Sequence, residues 1–404
     1  MSGCSAGDPT EEGRDTTAST PAPSIPAASA PASAVPVQGP WQAWKRTPSG
    51  GEAQALCDAT KHQLVCGTGA DGLVGRSRTD GSLTWSLPAT TPATGTDTDQ
   101  SNAPVLDSAD ERALIFAGRV LRAANLRTGT QAWSDQLPEG REFVRVVAAD
   151  GTVYALDTPT GDHSNTDVAL GAYRASDGSA LWHKSLDADP SGGLAAFGGR
   201  VYTTDGTQVT ARAARTGTAT ASSPSGVECP RLLSGGGHLV CTGSPASASD
   251  VFPPLRRLDT TTLRPLATAE DSGMKPFRGL ITADGVLLLY EDSAEDPGAG
   301  TWYAYDLDQA RRLWRYPTTT QEGGVTDGRF VTFTPVNDPT KSRVISIDLH
   351  TGPDGTGAAA PRTSPVYLEA RDAEIPSLVV PGGDAGHVVI KPRAHPALRS
   401  VPLP

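Results

Sequence analysis

The sequence predicts an all-β protein: a single β-propeller of about eight four-stranded blades, with seven as the alternative, preceded by a disordered N-terminal tether. Three observations carry this. The first is a recurring hairpin. Val120 to Pro138 reads VLRAANLRTGTQAWSDQLP. It is a short strand, a polar corner at Arg127-Thr128-Gly129-Thr130 whose glycine can take positive φ, and a second strand carrying Trp133. The unit returns at Arg78–Trp85 and Arg174–Trp182, with Trp four residues after Gly each time. It returns again at Asp306–Trp314, where Ala310 replaces the glycine.

The second observation is the period. Degenerate copies put Ala221, Ala267 and Thr356 where the Trp belongs, so equivalent positions follow one another at 39 to 49 residues. A period of that size, with several short strands per unit, is a propeller signature. The third is composition. The 404 residues include 44 Gly and 34 Pro, enough for many turns, and no long apolar segment has helical period.

From the N-terminus, Met1-Ser2-Gly3-Cys4 matches the end of a bacterial lipobox, so Cys4 is the expected lipidation site. The signal peptide is expected to have been removed, or to precede a start codon assigned late. Residues 5–40 open with Asp8, Glu11, Glu12, Arg14 and Asp15, then run uncharged through Pro, Ala, Ser and Thr. Such a segment buries too little apolar surface to offset its ordering entropy and reads as a disordered, semi-extended linker.

The propeller is expected over residues 41–404. Gln42-Ala43-Trp44 repeats Gln131-Ala132-Trp133 and reads as an orphan outermost strand. Ser377 to Pro404 supplies apolar stretches at 378–380, 387–390 and 398–401 that lack a fourth partner. Pairing the two ends closes the ring and removes free sheet edges.

Four further cysteines form two local pairs, Cys57 with Cys66 and Cys229 with Cys241, the second of each in Leu-Val-Cys. In a blade each pair falls on the first two antiparallel strands, close enough for a disulfide. No C-x2-C spacing points to zinc. Disulfides imply an oxidising compartment. Two loops exceed what the repeat needs, Pro88–Pro104 and Glu291–Gly300. Loops carry contacts, so Asp97, Asp99 and Asn102 in the first and Glu291, Asp292 and Glu295 in the second are the expected binding residues.

A strand followed by A-x-D/N-x-x-T/D-G-x-x-x-W, approximated at Ala124-Asn125 and Tyr305-Asp306, resembles the blade motif of quinoprotein-type (PQQ-like) propellers. The lipoprotein of the outer-membrane protein assembly machine uses the same motif. The resemblance covers Trp41 to Pro404. It implies that Trp44, Trp85, Trp133, Trp182 and Trp314 dock between blades. Quinone enzymes of this kind hold the cofactor between a stacking Trp and a disulfide of adjacent cysteines, over calcium. This chain has no adjacent cysteines. Asp97-Thr98-Asp99-Gln100-Ser101 alternates oxygen donors, but Asn102 stands where a calcium loop needs Gly and Ser108 where it needs Glu. Gly3-Cys4-Ser5-Ala6-Gly7 matches G-x-S-x-G without a strand-to-helix context. The seven histidines (62, 163, 183, 238, 350, 387 and 395) show no metal-ligand spacing. No metal, cofactor or catalytic residue is expected, and PQQ-dependent oxidation is the remote alternative.

The net charge of −11 and the lack of a basic cluster argue against nucleic acid as a partner. No window reaches the ~18 apolar residues that span a bilayer, so membrane attachment is expected through the anchor alone. The expectation is a monomeric, non-catalytic lipoprotein on the outer face of the cell membrane. Its partner would be an envelope protein, a cell-wall polymer or a small ligand. A sensor domain of an envelope signalling system is the second reading.

Overall fold

The computed structural model describes residues 42–48, 56–68, 71–90, 103–161, 167–189, 192–243, 255–269, 276–293, 300–335, 341–365, 368–369, 377–379, 386–391 and 397–404. Among the described residues the strands form eight antiparallel sheets. After β1 (Trp44–Arg46), blade one is β2 (Cys57–Ala59), β3 (Gln63–Thr68), β4 (Gly72–Ser77) and β5 (Leu83–Leu87). Blade two is β6 (Val105–Asp107), β7 (Arg112–Ala117), β8 (Val120–Asn125) and β9 (Gln131–Gln136). Blade three is β10 (Arg141–Ala149), β11 (Thr152–Pro159), β12 (Val168–Arg174) and β13 (Ala180–Leu186). Blade four is β14 (Leu194–Phe197), β15 (Arg200–Thr204), β16 (Val209–Ala213) and β17 (Ala219–Ser222). Blade five is β18 (Arg231–Gly235), β19 (His238–Thr242), β20 (Arg256–Leu258) and β21 (Pro265–Leu266). Blade six is β22 (Pro276–Ile281), β23 (Val286–Asp292), β24 (Gly300–Asp306) and β25 (Arg311–Thr318). Blade seven is β26 (Gly323–Thr326), β27 (Arg329–Pro335) and β28 (Lys341–Asp348), with β29 (Arg362–Thr363) and β30 (Leu368–Glu369) both on β28.

Blade eight joins the chain ends. β31 (Ser377–Val379), β32 (His387–Lys391) and β33 (Leu398–Pro402) pair in order, and β1 adds to β33 as the outermost strand. Trp44 faces Ser400, Lys45 faces Arg399 and Arg46 faces Leu398. The closure expected from the Gln-Ala-Trp repeat is therefore present, and the ring has eight blades rather than seven.

Burial follows position in the blade. Second strands lie between neighbouring sheets and are apolar on both faces: Ala113 to Phe116 of β7 and Val286 to Tyr290 of β23 are all buried. Outermost strands alternate, and in β9 Trp133 alone is buried. The core is a series of apolar layers between successive blades. One layer holds Leu114, Leu121, Trp133, Phe143, Val153 and Tyr173 from blades two and three.

Three local expectations are corrected. Thr356 is not on an outermost strand. An insertion containing a single 3-10 turn at Gly357–Ala359, the only helical turn among the described residues, delays β29 until Arg362, which pairs with Ser346. Glu291 and Asp292 are not loop residues. β23 and β24 extend into the presumed loop, pairing Glu291 with Thr301 and Asp292 with Gly300. Cys229 precedes β18 rather than lying on it, and bridges to Gly206 of blade four.

Candidate binding surface and blade interfaces

The repeated Trp has one job in five interfaces. Its indole N–H donates to a carbonyl of the next blade, three residues before that blade's turn glycine. Trp44 reaches Arg78 O at 2.9 Å, Trp85 reaches Leu126 O at 2.8 Å and Trp133 reaches Ala175 O at 2.8 Å. Trp182 reaches Ala214 O at 2.9 Å and Trp314 reaches Leu349 O at 2.7 Å. The rings rest on Gly81, Gly129, Gly178, Gly217 and Gly352, all at positive φ. A Cβ on any of them would lie within 2.7 Å of a ring atom. Glycine is thus required twice, for the left-handed turn and for the indole that covers it. Trp44 faces Ser400, and within their own blades the other four face smaller residues: Gly75, Ala123, Ala172 and Ala304. A β-bulge follows each of those four pairs and turns the indole toward the next sheet.

Where the Trp is missing, other residues take over. Ala221 leaves the indole site empty, and the turn residue of blade five is Leu263, at φ 57° and fully buried beside Ala221. With no ring overhead a Cβ fits, and the apolar volume comes from the opposite side of the interface. The equivalent carbonyl, Thr260 O, accepts from Arg200 Nη1 at 3.1 Å and from the Tyr202 hydroxyl at 3.0 Å. Between blades five and six, Ala267 lies exposed just beyond β21 rather than on it, and the facing blade's turn is closed by Ala310 at φ 51°. There Arg257 donates to Leu307 O and, at 2.8 Å, to Asp308 Oδ1. Sequence reading missed these three residues because they lie on second and third strands, outside the Gly-Trp spacing.

Both expected disulfides are present, Cys57–Cys66 and Cys229–Cys241. The first joins directly opposed residues of β2 and β3. The second also clamps blade four, because Cys229 N donates to Gly206 O at 2.9 Å. Cys4, Asp97, Asp99, Asn102 and Glu295 lie outside the described residues. Glu291 and Asp292 end β23, and burial followed by the Asp292 charge pushes the Tyr290 hydroxyl up to about 12. The structure does not bring the two loops' described residues together into one site.

Two buried carboxylates also hold arginines, one across a blade interface and one within a blade. Asp71 and Arg122, both nearly inaccessible, pair at 3.3 Å and tie blade one to blade two. Asp157 is fully buried and receives Arg141, while the half-exposed His183 ring sits 3.1 Å from its Oδ2. His183 is thus an exposed residue of β13 held against a buried carboxylate. Burial, then Asp135 and Asp157, push the Tyr173 hydroxyl up.

A quinone over calcium does not fit these residues. The disulfides join cysteines 9 and 12 positions apart, not neighbours. The five blade Trp rings lie against the turn glycine of the next blade, each with its N–H engaged there. Among the described residues no three His, Cys, Asp or Glu side chains are grouped to hold a metal ion. Among them, too, no helix is long and apolar enough to cross a membrane.

The family model described as outer membrane protein assembly factor BamB matches residues 41–166 and 164–352. Among solved structures, BamB from Moraxella catarrhalis is similar at 13% identity and a TM-score of 0.51, covering 88% of this chain and 97% of that one. Saccharomyces cerevisiae Sqt1 is similar at 10% identity and a TM-score of 0.60, covering 89% and 98%. The quinohemoprotein alcohol dehydrogenase of Comamonas testosteroni is similar at 10% identity and a TM-score of 0.56, covering 91% and 77%. No curated protein matches the chain in sequence. At these identities the solved structures speak for the fold alone. The family model spans well over half of the chain, and the chain belongs to the family of PQQ-like propellers that this model, outer membrane protein assembly factor BamB, describes.

Proposed function

We propose that the protein is a non-catalytic, extracytoplasmic scaffold, tethered through an acylated Cys4 to the outer face of the cell membrane, that binds an envelope protein. The observation that carries this is the locking of the ring. Indoles bridge five interfaces, and arginines with Tyr202 bridge two more through the same carbonyl position. A rigid closed ring presents loops and faces with little ordering cost on binding. The two disulfides favour an oxidising compartment. The family's description as an assembly factor favours a protein partner over a small substrate.

The test uses the full chain in its native envelope. Labelled palmitate should enter wild type and not Cys4→Ala, and Cys4→Ala should leave the membrane fraction. In-cell photocrosslinking from residues 97 and 295 should give one discrete protein adduct. Quinone- and calcium-dependent dye reduction by the purified protein would sink the non-catalytic reading.

A further inference from the structure

Three arginines stand at one level around the inner wall of the ring. Arg145 of blade three and Arg231 of blade five each lie four residues before the last paired residue of the inner strand, Ala149 and Gly235. Arg278 of blade six lies four before Thr282, whose amide donates to Val286 O across the turn. Glu322 of blade seven occupies the same level, four before Thr326. In blade four that level falls on Gly193, four before Phe197.

Strand register sets where these side chains lean. Residues opposite one another in a strand pair share a face. Arg145 therefore leans with Leu156 toward blade four, and Arg278 leans with Tyr290 toward blade seven. Arg231 shares the face of Leu233, which packs toward blade six. The chain of contacts continues from Arg278 Nη1 to Glu322 Oε1 at 3.1 Å, and from Leu378 N of blade eight to Glu322 Oε2 at 3.1 Å. Between Arg145 and Arg231 blade four presents only Gly193. Its backbone is drawn against blade five by Leu232 N donating to Gly192 O at 2.6 Å, and a Cβ there would lie 2.6 Å from Leu232 O. The close approach of the two inner strands keeps that position bare.

Three cations and the carboxylates of Glu322 and Asp189 therefore share one arc of a chain whose net charge is −11. Loss of bulk solvent, and then Arg231, hold Arg145 below the usual arginine range, with Asp189 opposing. Arg231 is reached by solvent yet surrounded by protein. That environment and then Arg278 lower it as well. The Arg278 side chain is 42% exposed.

We propose that this arc, Arg145, Arg231 and Arg278, with no side chain between the first two at Gly193, binds an oxyanion, the carboxylate or phosphate group of a ligand entering the ring. A guanidinium carries five donors in a planar fork that matches the geometry of a carboxylate or phosphate. Charge-assisted bonds to an oxyanion offset the like-charge crowding. The enclosing walls focus the positive field.

The test is titration of the full-length protein with inorganic phosphate and, separately, with succinate, followed by arginine side-chain NMR and thermal melting. Wild type should give saturable shifts and a rising melting temperature with at least one anion. Phosphate alone would assign a phosphate ester as the source, and succinate alone a carboxylate. Arg231→Gln should weaken binding by about tenfold or more, the loss of one charged bidentate contact. Its melting temperature without anion should hold or rise, because the crowding is relieved. Arg311→Gln, on the exposed rim of blade six, should bind as wild type. Should Arg231→Gln fail to fold, Arg145→Gln reads the same loss. Unsaturable shifts with both anions, or undiminished affinity in the Arg231 and Arg145 variants, would overturn the assignment.

Discussion

Trp133 is buried to 6% exposure, and its N–H donates to the carbonyl of the fully buried Ala175. Trp133→Ala removes that apolar volume and leaves Ala175 O short of a donor. The expected loss is about 3–5 kcal/mol, read by chemical denaturation. Gly129 is the reciprocal case. At φ 67° it sits under the Trp85 ring, with the new Cβ placed 2.6 Å from ring carbons. Gly129→Ala should cost about 2–4 kcal/mol, from left-handed strain and overpacking together. Ala310, already left-handed with no indole above it, should tolerate replacement by glycine within about 1 kcal/mol. An equal cost at the two positions would show that the ring contact plays no part.

At the scale of the element, seven of the eight interfaces cap the same carbonyl position, and the sequence solves this in different ways. Arg257→Ala should cost about 1–3 kcal/mol, because Leu307 O loses its donor. Ala267→Trp with Ala310→Gly rebuilds the common solution and should recover stability in the Arg257→Ala background. Failure to recover would mean that blades five and six are held by contacts other than this one. The hairpin at Cys57–Cys66 is pinned covalently across directly opposed strands, 4.1 Å apart at Cα. Replacing both cysteines with serine should lower stability by about 2–3 kcal/mol on the chain-entropy account.

For the whole molecule the decisive contact is the closure of blade eight. Only three residues of β1 pair with β33, but Trp44 also caps Arg78 O of blade one. Removing residues 1–40 should leave the melting temperature unchanged. Removing residues 1–46 should cost at least the 3–5 kcal/mol, roughly, of the Trp44 contact and leave a free strand edge prone to association. Melting curves and light scattering of the two truncations distinguish these outcomes. Identical behaviour would show that the ring does not depend on β1.

The eight-blade ring was legible because its signals are local. A glycine that must turn left-handed, and a Trp four residues on, recur with the period of one blade and need no knowledge of the rest of the chain. The Gln-Ala-Trp at 42–44 announced the closure in the same way, and the cysteine pairs could be matched because each lies within one hairpin or beside it. The loop boundaries at Glu291 and Asp292, and the delayed outer strand at Arg362, were not legible. Strand pairing, not residue type, decided how far those ladders ran. Nor were the caps at Arg200, Tyr202 and Arg257, whose carbonyl partners lie 50 to 60 residues away. The arginine arc belongs to the same class. Its members share a level only when each inner strand is counted back from its own hairpin and the ring is closed. Sequence by itself determined the repeat and the turns and narrowed the blades to eight or seven, because nearest-neighbour chemistry dictates them. The tertiary structure alone decided which side chains meet across blades, because those distances exist only once the two ends of the chain share a sheet.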